Sequence, residues 1–281
     1  MRFLRHAATS VALLLPALAC STAEGELTFS TWGEEYIEKG IPSTELEDGW
    51  GVTFDKFLVV LDGVEVSDGT TSKARMPKPR LFNHVVPAPK PVFAAGTLPA
   101  QAYTKVSFMI TPVTAETELG QGATDADKAL MTKGGYSIYV EGKAQKGAEQ
   151  KRFSWGFSTK TLFDDCKVEE SGQEVLGVVV TSGGSLDAEL TIHGDHFFYD
   201  DLQSPDAKLR FQNLADADAN KDGEVTLAEL AAVKLARLPK ENGPYGTGSA
   251  ADVTDLGAFV TGLTRTVGHF RGEGECIARA R

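Results

Sequence analysis

The stretch of sequence that decides the fold is Val52-Thr53-Phe54-Asp55-Lys56-Phe57-Leu58-Val59-Val60-Leu61. An apolar stretch of this length followed by turn residues is typical of a β-strand rather than a helix. The pair Asp62-Gly63 comes next and predicts a turn. We therefore expect one long strand over residues 52–61 that ends at this turn.

Shorter stretches on both sides alternate apolar and polar residues. Their apolar members lie two residues apart: Leu27 and Phe29; Val106, Phe108 and Ile110; Tyr136, Ile138 and Val140; Phe153, Trp155 and Phe157. Two further apolar stretches follow at residues 176–180 and 190–192. Alternation places one face of a strand in the core and the other in water. Short strands separated by Gly and Asp turns predict a β-sandwich over residues 27–203.

Residues 67–102 interrupt this pattern with a cluster of prolines: Pro77, Pro79, Pro87, Pro89, Pro91 and Pro99. Proline has no N–H to donate to a neighbouring strand, so a central strand does not hold so many of them. We expect a long extended Pro-rich loop or an edge strand. Its role, as a binding loop or as a lid packed across the sheet, stays open.

Oxygen-bearing side chains recur at a fixed spacing in one run near the C-terminus: Asp218, Asn220, Asp222, Thr226 and Glu229. Gly223 lies in the middle of this run, where a sharp turn needs a residue that tolerates positive φ. A Ca²⁺ ion takes six to eight oxygen ligands, so a run of this composition suits it. The alternative is an acidic turn that leads into a helix.

Residues 218–229 resemble the calcium-binding loop of the EF-hand family at every informative position. The resemblance implies Ca²⁺ as the cofactor. The ligands that it implies are the side chains of Asp218, Asn220 and Asp222, the backbone carbonyl of Glu224, a water held by Thr226, and both carboxylate oxygens of Glu229.

The flanks of this loop carry helix signals. Ser204-Pro205-Asp206 combines an N-cap residue, a proline at the first helical position and an early acidic residue, which predicts the start of an entering helix. We therefore expect a mainly β chain with a C-terminal α module, that is, a β-sandwich followed by an EF-hand helix pair over residues 204–281. Residues 246–257 are either a degenerate, metal-free partner hand or an ordinary loop before an amphipathic helix.

The N-terminal residues 1–19 combine Arg2 and Arg5 with an apolar core that is too short to cross a bilayer as a helix. This pattern is typical of a secretory signal peptide. We therefore expect the chain to be exported across the inner membrane.

The end of that segment, Ala17-Leu18-Ala19-Cys20, resembles the lipobox of bacterial lipoproteins. The resemblance implies acylation of Cys20, a lipidated tether over residues 20–26, and a location at the outer membrane or in the periplasm. A lipid anchor would then be the contact with the membrane. The alternative is cleavage after an Ala-x-Ala site by the ordinary signal peptidase.

Cys166 and Cys276 remain once Cys20 is assigned to the lipid. Because the expected compartment is oxidising, we predict a disulfide between them. A bridge over such a long loop is worth on the order of 4–5 kcal/mol in the chain-entropy model. The alternative is two free buried thiols.

His193-Gly194-Asp195-His196 is a second candidate metal site, since two imidazoles and a carboxylate suit Cu²⁺ or Zn²⁺. His193 is expected on the outward face of a strand, and residues three apart face opposite ways unless the chain turns at Gly194. His84 or His269 are candidates for a third ligand. The alternative is a set of surface and loop histidines that make ordinary hydrogen bonds.

Two acidic pairs and one aromatic complete the candidates. Asp164-Asp165 and Asp200-Asp201 are expected to be solvated turns. Trp32, beside Glu34, either closes the end of the core, stacks on a sugar ring or helps to shape a metal site.

The net charge of −11, from 39 acidic and 28 basic residues, disfavours nucleic acid as a partner. The sequence has no Gly-x-Ser-x-Gly, phosphate-loop, His-Glu-x-x-His or dinucleotide fingerprint, so we expect no enzyme. The leading hypothesis is a non-enzymatic, calcium-binding cell-envelope lipoprotein. The alternatives are a periplasmic copper- or zinc-binding or acquisition protein and a carbohydrate-binding or adhesin module.

Overall fold

A computed structural model describes residues 23–281 of the chain. The predicted signal peptide and the predicted lipid-attachment residue, Cys20, lie outside the described residues.

Strands make up most of the regular structure in this part of the chain. In chain order they are β1 (Glu24–Gly33), β2 (Gly51–Ser67), β3 (Ser72–Arg75), β4 (Arg80–Asn83), β5 (Lys90–Pro99), β6 (Ala102–Tyr103), β7 (Lys105–Ile110), β8 (Glu118–Leu119), β9 (Ile138–Lys146), β10 (Glu149–Phe157), β11 (Thr161–Asp164), β12 (Lys167–Glu170), β13 (Gln173–Leu176), β14 (Val178–Val179), β15 (Ser185–Ile192), β16 (Glu224–Val225), β17 (Gly268–Phe270) and β18 (Ile277–Ala280). The prediction of a mainly β chain is confirmed.

The helices are short. They are α1 (Glu35–Lys39), α2 (Asp125–Gly134), α3 (Gln212–Ala215), α4 (Leu227–Ala232) and α5 (Leu256–Leu263), with 3-10 helices at Asp195–Phe198, Leu235–Arg237 and Lys240–Asn242. Within residues 23–281, no helix has both the length and the apolar character needed to cross a membrane.

Two sheets hold most of the strands. The first has the order β17-β15-β1-β5, and β1 runs parallel to β15 and antiparallel to β5. The second follows the path β16-β10-β9-β2-β7-β11-β18, with β3, β4 and β8 attached beside β2. The parallel pairing of β1 with β15 joins residues about 160 positions apart. It places the C-terminal ends of both strands at the same edge, and this edge carries the candidate site.

The core joins side chains from both sheets in one buried cluster. Phe29 and Leu190 come from the first sheet, and Phe57 and Trp155 come from the second. Burying an aromatic or branched side chain of this size stabilises the fold by about 1.5–3 kcal/mol. The 3-10 helix Asp195–Phe198 contributes Phe197 to this core, where its ring packs against Phe57. This contact fixes the position of the helix.

The middle of strand β2, residues 57–61, is buried on both faces, which explains the uninterrupted apolar sequence of this stretch. Phe57, Val59 and Leu61 point into the main core, whereas Leu58 and Val60 pack in a second cluster that includes α2. The predicted turn at Asp62-Gly63 is wrong: β2 continues to Ser67. The pairing of β2 with β7 shifts register between Asp62 and Glu65, and this irregularity accommodates Gly63 at φ +56.

The Pro-rich stretch, residues 67–102, is not a structureless loop. It contains β3, β4 and β5, and β5 is the outer strand of the first sheet beyond β1. An outer strand is where prolines are tolerated, and Pro91 and Pro99 lie in β5. The edge-strand alternative therefore describes β5.

The predicted disulfide between Cys166 and Cys276 is confirmed; it links residues separated by 110 positions. The C-terminal segment around it joins both sheets, because β17 pairs with β15 and β18 pairs with β11. The disulfide therefore anchors a segment that already holds strands of both sheets.

The predicted entering helix does not start at Ser204-Pro205-Asp206. Leu209 instead forms β-bridges with Leu46 and Tyr199, and the backbone N–H of Arg210 donates to the carbonyl of Phe198. These contacts occupy the backbone N–H and C=O groups that helical hydrogen bonds would need. The helix therefore begins only at Gln212, in α3, and lasts four residues. The expected EF-hand pair is thus reduced to α3 and the six-residue α4.

The loop between α3 and α4 does not pair with residues 246–257. Its short strand β16 runs parallel to β10, with Val225 opposite Phe153. The Trp155 Nε1–H donates to the Val225 carbonyl at 2.8 Å. The second sheet therefore takes the place that a partner hand would occupy.

Candidate metal centre

The pairing of three strands brings the candidate ligands to one edge of the first sheet. Strand β15 ends at Ile192, so His193 is the first residue after it. Strand β1 ends at Gly33, opposite Ile192, so Glu34 emerges at the same edge. Strand β17 runs antiparallel to β15 and places His269 opposite Thr191.

The chain turns at Gly194, and this turn folds His196 back towards His193. Gly194 has φ −87 and ψ −28, and the 3-10 helix Asp195–Phe198 starts directly after it. A Cβ on Gly194 would lie 2.5 Å from Ile37 Cγ1, so the packing there requires glycine. The chain thus makes the turn at Gly194 that the sequence analysis required for His193 and His196 to face the same way.

Three imidazoles, His193, His196 and His269, form what we call the histidine cluster. One ligand atom of each lies within 4.8 Å of the others. The ring centroids are 4.2 Å apart for His193 and His269, and 5.0 Å apart for the other two pairs. These distances are short enough for all three rings to ligate one ion.

The hydrogen bonds of the histidine cluster leave ring nitrogens free. His196 Nδ1 lies 2.7 Å from the Thr266 carbonyl, so we assign its proton to Nδ1 and its lone pair to Nε2. A hydrogen bond of this kind fixes the orientation of a metal-binding imidazole. His193 Nε2 and His269 Nδ1 are buried and have no hydrogen-bond partner among residues 23–281.

Burial keeps these imidazoles neutral. It lowers the pKa of His193 to about 4 and the pKa values of His196 and His269 below their usual range. The neighbouring imidazoles lower the pKa values of His193 and His196 further. A neutral imidazole is the form that ligates a metal. At neutral pH the three imidazoles are therefore in the protonation state that metal ligation requires.

Two carboxyl groups lie beside the cluster. Glu34 Oε2 lies 3.5 Å from His193 Nδ1, and Glu34 Oε1 accepts a hydrogen bond of 3.0 Å from the Gly194 N–H. Asp195 Oδ1 is buried without a partner among the described residues. Burial, followed by the charge of Asp195, raises the pKa of Glu34 to about 9, and burial also raises the pKa of Asp195. One ligand atom each of Glu34, His193 and Asp195 also lies within 4.8 Å of the others. We call these three residues the mixed cluster.

A cavity of about 520 Å³ reaches the histidine cluster from outside. His196, His269 and Tyr199 line it, together with the acidic Glu273 and Glu275. Acidic residues at such an opening raise the local concentration of cations. The cavity therefore gives an ion a route to the imidazoles.

The loop of residues 218–229 has a different geometry. Asp218 is buried, and its Oδ2 accepts hydrogen bonds from the Gly223 N–H and from Lys151 Nζ, at 3.1 and 2.8 Å. Its Oδ1 has no hydrogen-bond partner within residues 23–281. Gly223 has φ +81, as the sharp turn requires. Asn220 and Asp222 are exposed and hydrogen-bond to each other. The loop therefore leaves one oxygen of its first ligand free.

The C-terminal half of that loop is a capped helix start. Thr226 Oγ1 accepts from the Glu229 N–H, and Glu229 Oε2 accepts from the Thr226 N–H, which is a capping box. Glu229 Oε1 is buried without a partner among the described residues. Glu224 contributes to β16 and its side chain accepts from Ser154 Oγ. In residues 23–281, Asp218, Asp222 and Glu229 do not bring three ligand atoms within 4.8 Å.

The expected outward position of His193 is wrong, because both His193 and His196 are buried. Of the two possible third ligands, His269 joins them, and His84 does not: its Nε2 lies 3.0 Å from Thr31 Oγ1. In the sequence, Glu34 stands out only as a neighbour of Trp32. The strand pairing identifies Glu34 more directly. When two strands run parallel, the residues that follow them emerge at the same edge of the sheet, so Glu34 after β1 lies beside His193 after β15.

The remaining candidates make contacts within the fold. Asp200 is buried and forms an ion pair with Arg210 at 2.7 Å, so the expectation of a solvated turn is wrong for it. Asp165 contacts Lys105 and Arg279. The Trp32 Nε1–H donates to Glu38 Oε1 at 2.7 Å, and its ring is half-buried.

Comparisons with known proteins gave one likeness. No family model and no curated protein matches this chain. Among solved structures, MbnP from Methylosinus trichosporium is similar with a TM-score of 0.31 and 12% sequence identity, over 83% of this chain and 96% of that chain. A likeness at this level does not establish a shared fold.

Proposed function

We propose that this protein binds a transition-metal ion, copper or zinc, through His193, His196 and His269. The observation that supports this most is the convergence of three neutral imidazoles, of which His193 and His196 are buried and His269 is half-buried. Two of the three have a buried ring nitrogen without a hydrogen-bond partner among residues 23–281. Leaving a buried polar atom unpaired costs about 1–3 kcal/mol, and a bound ion would remove that cost. Imidazole nitrogens are ligands that zinc and copper favour.

Isothermal titration calorimetry with Cu²⁺ and Zn²⁺ tests this proposal. The purified protein is first stripped with a chelator and then kept in excess Ca²⁺, which occupies the loop of residues 218–229 if it binds there. His196→Ala and His269→Gln should each weaken binding by more than about 100-fold, since even groups that only support a ligand contribute 10–100-fold.

His84→Gln is the matched control, because it also removes a buried imidazole but lies outside the histidine cluster. It should leave the affinity for Cu²⁺ and Zn²⁺ unchanged. Unaltered binding in the His196 and His269 variants would disprove the proposal.

The role that we propose is binding or acquisition of the ion in the cell envelope, without catalysis. The lipobox-like segment ending at Cys20 supports a lipid anchor, and the Cys166–Cys276 disulfide fits an oxidising compartment. Cys20→Ala should move the protein from the membrane fraction to the soluble periplasmic fraction. Membrane association that survives this change would argue against the anchor.

A second candidate function, calcium binding by residues 218–229, rests on a separate observation. The first and last side chains of the loop, Asp218 and Glu229, each keep one buried oxygen without a partner in the described part of the chain. Ca²⁺ would satisfy both oxygens, with the remaining ligands supplied by Asn220, Asp222 and the Glu224 carbonyl. We propose that Ca²⁺ orders this loop against the second sheet.

Glu229→Gln tests the calcium proposal with little harm to the fold, because glutamine also serves in a capping box. The variant should lose the rise in melting temperature that Ca²⁺ produces and should melt like the parent protein after chelation. Glu241→Gln, at an exposed position, is the control of equal charge change. If Ca²⁺ stabilises the Glu229 variant as much as the control, the loop is not the calcium site.

A further inference from the structure

Within the mixed cluster, Glu34 approaches the Nδ1 edge of the His193 ring. Glu34 Oε2 approaches His193 Nδ1 at 3.5 Å, whereas the unpartnered nitrogen of the same ring is Nε2. The two nitrogens of an imidazole point away from each other, so one ring can serve two neighbouring positions. His193 belongs to both three-residue groups that the structure brings together.

Glu34 and Asp195 are the two carboxyls of the mixed cluster. Asp195 is 8% exposed, and its Oδ1 has no hydrogen-bond partner in the described part of the chain. Among residues 23–281, no lysine or arginine forms an ion pair with Glu34 or Asp195. Asp195 is buried and the Glu34 side chain is 15% exposed. Two carboxyls side by side in such a site, with no lysine or arginine of the described residues to balance them, are costly unless they are protonated or bind a cation.

We propose that Glu34, His193 and Asp195 form a second position for a divalent first-row cation, so that His193 bridges two ions. This inference rests on the proposed function of the histidine cluster. Mixed carboxylate and imidazole ligands suit Zn²⁺ and Cu²⁺. When both positions are filled, the His193 ring ligates through both nitrogens as an imidazolate. Its remaining N–H proton is released to solvent, together with the proton that the Glu34 carboxyl holds at neutral pH.

The two positions differ in their expected affinity. The histidine cluster offers three neutral nitrogens and opens to the cavity, so it fills first. The second ion then meets the charge of the first across one ring, and the carboxylates of Glu34 and Asp195 offset that repulsion. The second ion therefore binds more weakly than the first.

Copper titration followed by electron paramagnetic resonance tests the bridge. Cu²⁺ is added to the chelator-stripped protein in excess Ca²⁺, and the spin signal is integrated at each addition. An imidazolate between two Cu²⁺ ions couples their spins antiferromagnetically. The signal should therefore rise over the first equivalent and fall over the second. Equilibrium dialysis in parallel should show that both equivalents are bound.

Glu34→Gln together with Asp195→Asn keeps the shapes of both side chains and removes their charges. This variant should still give the rising signal of the first equivalent and should lose the second. Glu116→Gln together with Glu169→Gln makes the same charge change at exposed positions and should behave like the parent protein.

The outcomes separate the two proposals. If the first equivalent binds as well in His196→Ala and His269→Gln as in the parent, the histidine cluster itself is wrong. If those variants lose it, but the parent's second equivalent adds an uncoupled spin, His193 does not bridge. Binding of a second equivalent to the Glu34 and Asp195 double variant with parent affinity would overturn the second position.

Discussion

The loop of residues 218–229 and the histidine cluster are two candidate metal sites of opposite construction. The loop takes its ligands from twelve consecutive residues, and its exposed members Asn220 and Asp222 hydrogen-bond to each other. The cluster takes its ligands from the end of β15, the turn after it and strand β17, and two of its three imidazoles are buried. A local site can be identified in sequence, whereas a site made by strand pairing becomes visible only when the register is known.

The two sites also depend differently on the rest of the fold. The loop meets the second sheet through β16, Trp155 and Lys151. The cluster depends on the C-terminal segment that carries His269 and is anchored by the disulfide. A change in one of these supports should therefore affect one site and spare the other.

The largest expected effect comes from removing the disulfide. Cys166→Ser together with Cys276→Ser should lower the free energy of unfolding by about 4–5 kcal/mol, the chain-entropy value for a loop of this length. Because the bridge anchors the segment that carries His269, we also expect weaker Cu²⁺ binding. Ca²⁺ binding by the loop should be unchanged. Denaturant unfolding and calorimetry measure these three quantities.

A loss of Ca²⁺ affinity as large as the loss of Cu²⁺ affinity would show that the two sites share their support. Such a result would contradict the division drawn above. An unchanged Cu²⁺ affinity would show that β17 holds His269 in place without the bridge.

Gly194→Ala is expected to have the next largest effect. The new Cβ would lie 2.5 Å from Ile37 Cγ1 and 3.2 Å from Phe54 Cε2, and overpacking of this kind costs about 1–3 kcal/mol. The turn that brings His196 to His193 would shift, so Cu²⁺ affinity should fall with stability. Thermal unfolding and copper titration of this variant test the prediction. A loss of stability with unchanged Cu²⁺ affinity would show that the turn does not position His196 for the ion.

The third test is the dependence of stability on acid. Between pH 6.5 and pH 5, His84 should lower the free energy of unfolding by about 2 kcal/mol. His84 is buried outside both sites, and burial lowers its pKa to about 3. The unfolded chain takes up a proton at this residue below pH 6.5 and the folded chain does not. Stability therefore falls as pH drops from 6.5 towards 3, by about 1.4 kcal/mol per pH unit, and this residue adds no pH dependence above 6.5.

His84→Gln should remove that part of the slope in unfolding measurements made with a chelator between pH 7 and pH 5. Saturating Cu²⁺ should not change the contribution of His84, since it is not in the histidine cluster. An unchanged slope in the variant would show that His84 is not the source.

The strands were predictable because their apolar residues recur with the period of a pleated sheet. The stretch of residues 52–61 lies within β2, and the partners of the disulfide followed from the expected compartment. The absence of the entering helix was not predictable. Leu209 forms β-bridges with Leu46 and Tyr199, and these bridges replace the helical hydrogen bonds. Local signals such as Ser204-Pro205 carry no information about that competition.

The candidate centre was predictable only in part. His193 and His196 were identified by their spacing, and the condition that joins them was the turn at Gly194. His269 and Glu34 reach the site through pairings that span about 80 and 160 residues. No short-range pattern contains such a register, so their place became known only with the sheet.

The smallest expected effect concerns Lys151, whose ammonium lies 2.8 Å from Asp218 Oδ2. A positive charge beside the first calcium ligand repels Ca²⁺, so Lys151→Met should raise Ca²⁺ affinity by about fivefold. Lys143→Met, at an exposed position on the neighbouring strand β9, is the control and should change little. Neither substitution should alter Cu²⁺ binding, because the histidine cluster is supported elsewhere. If Lys151→Met instead weakens Ca²⁺ binding, then Lys151 holds Asp218 in place for the ion, and the loop depends on the second sheet for its ligand geometry.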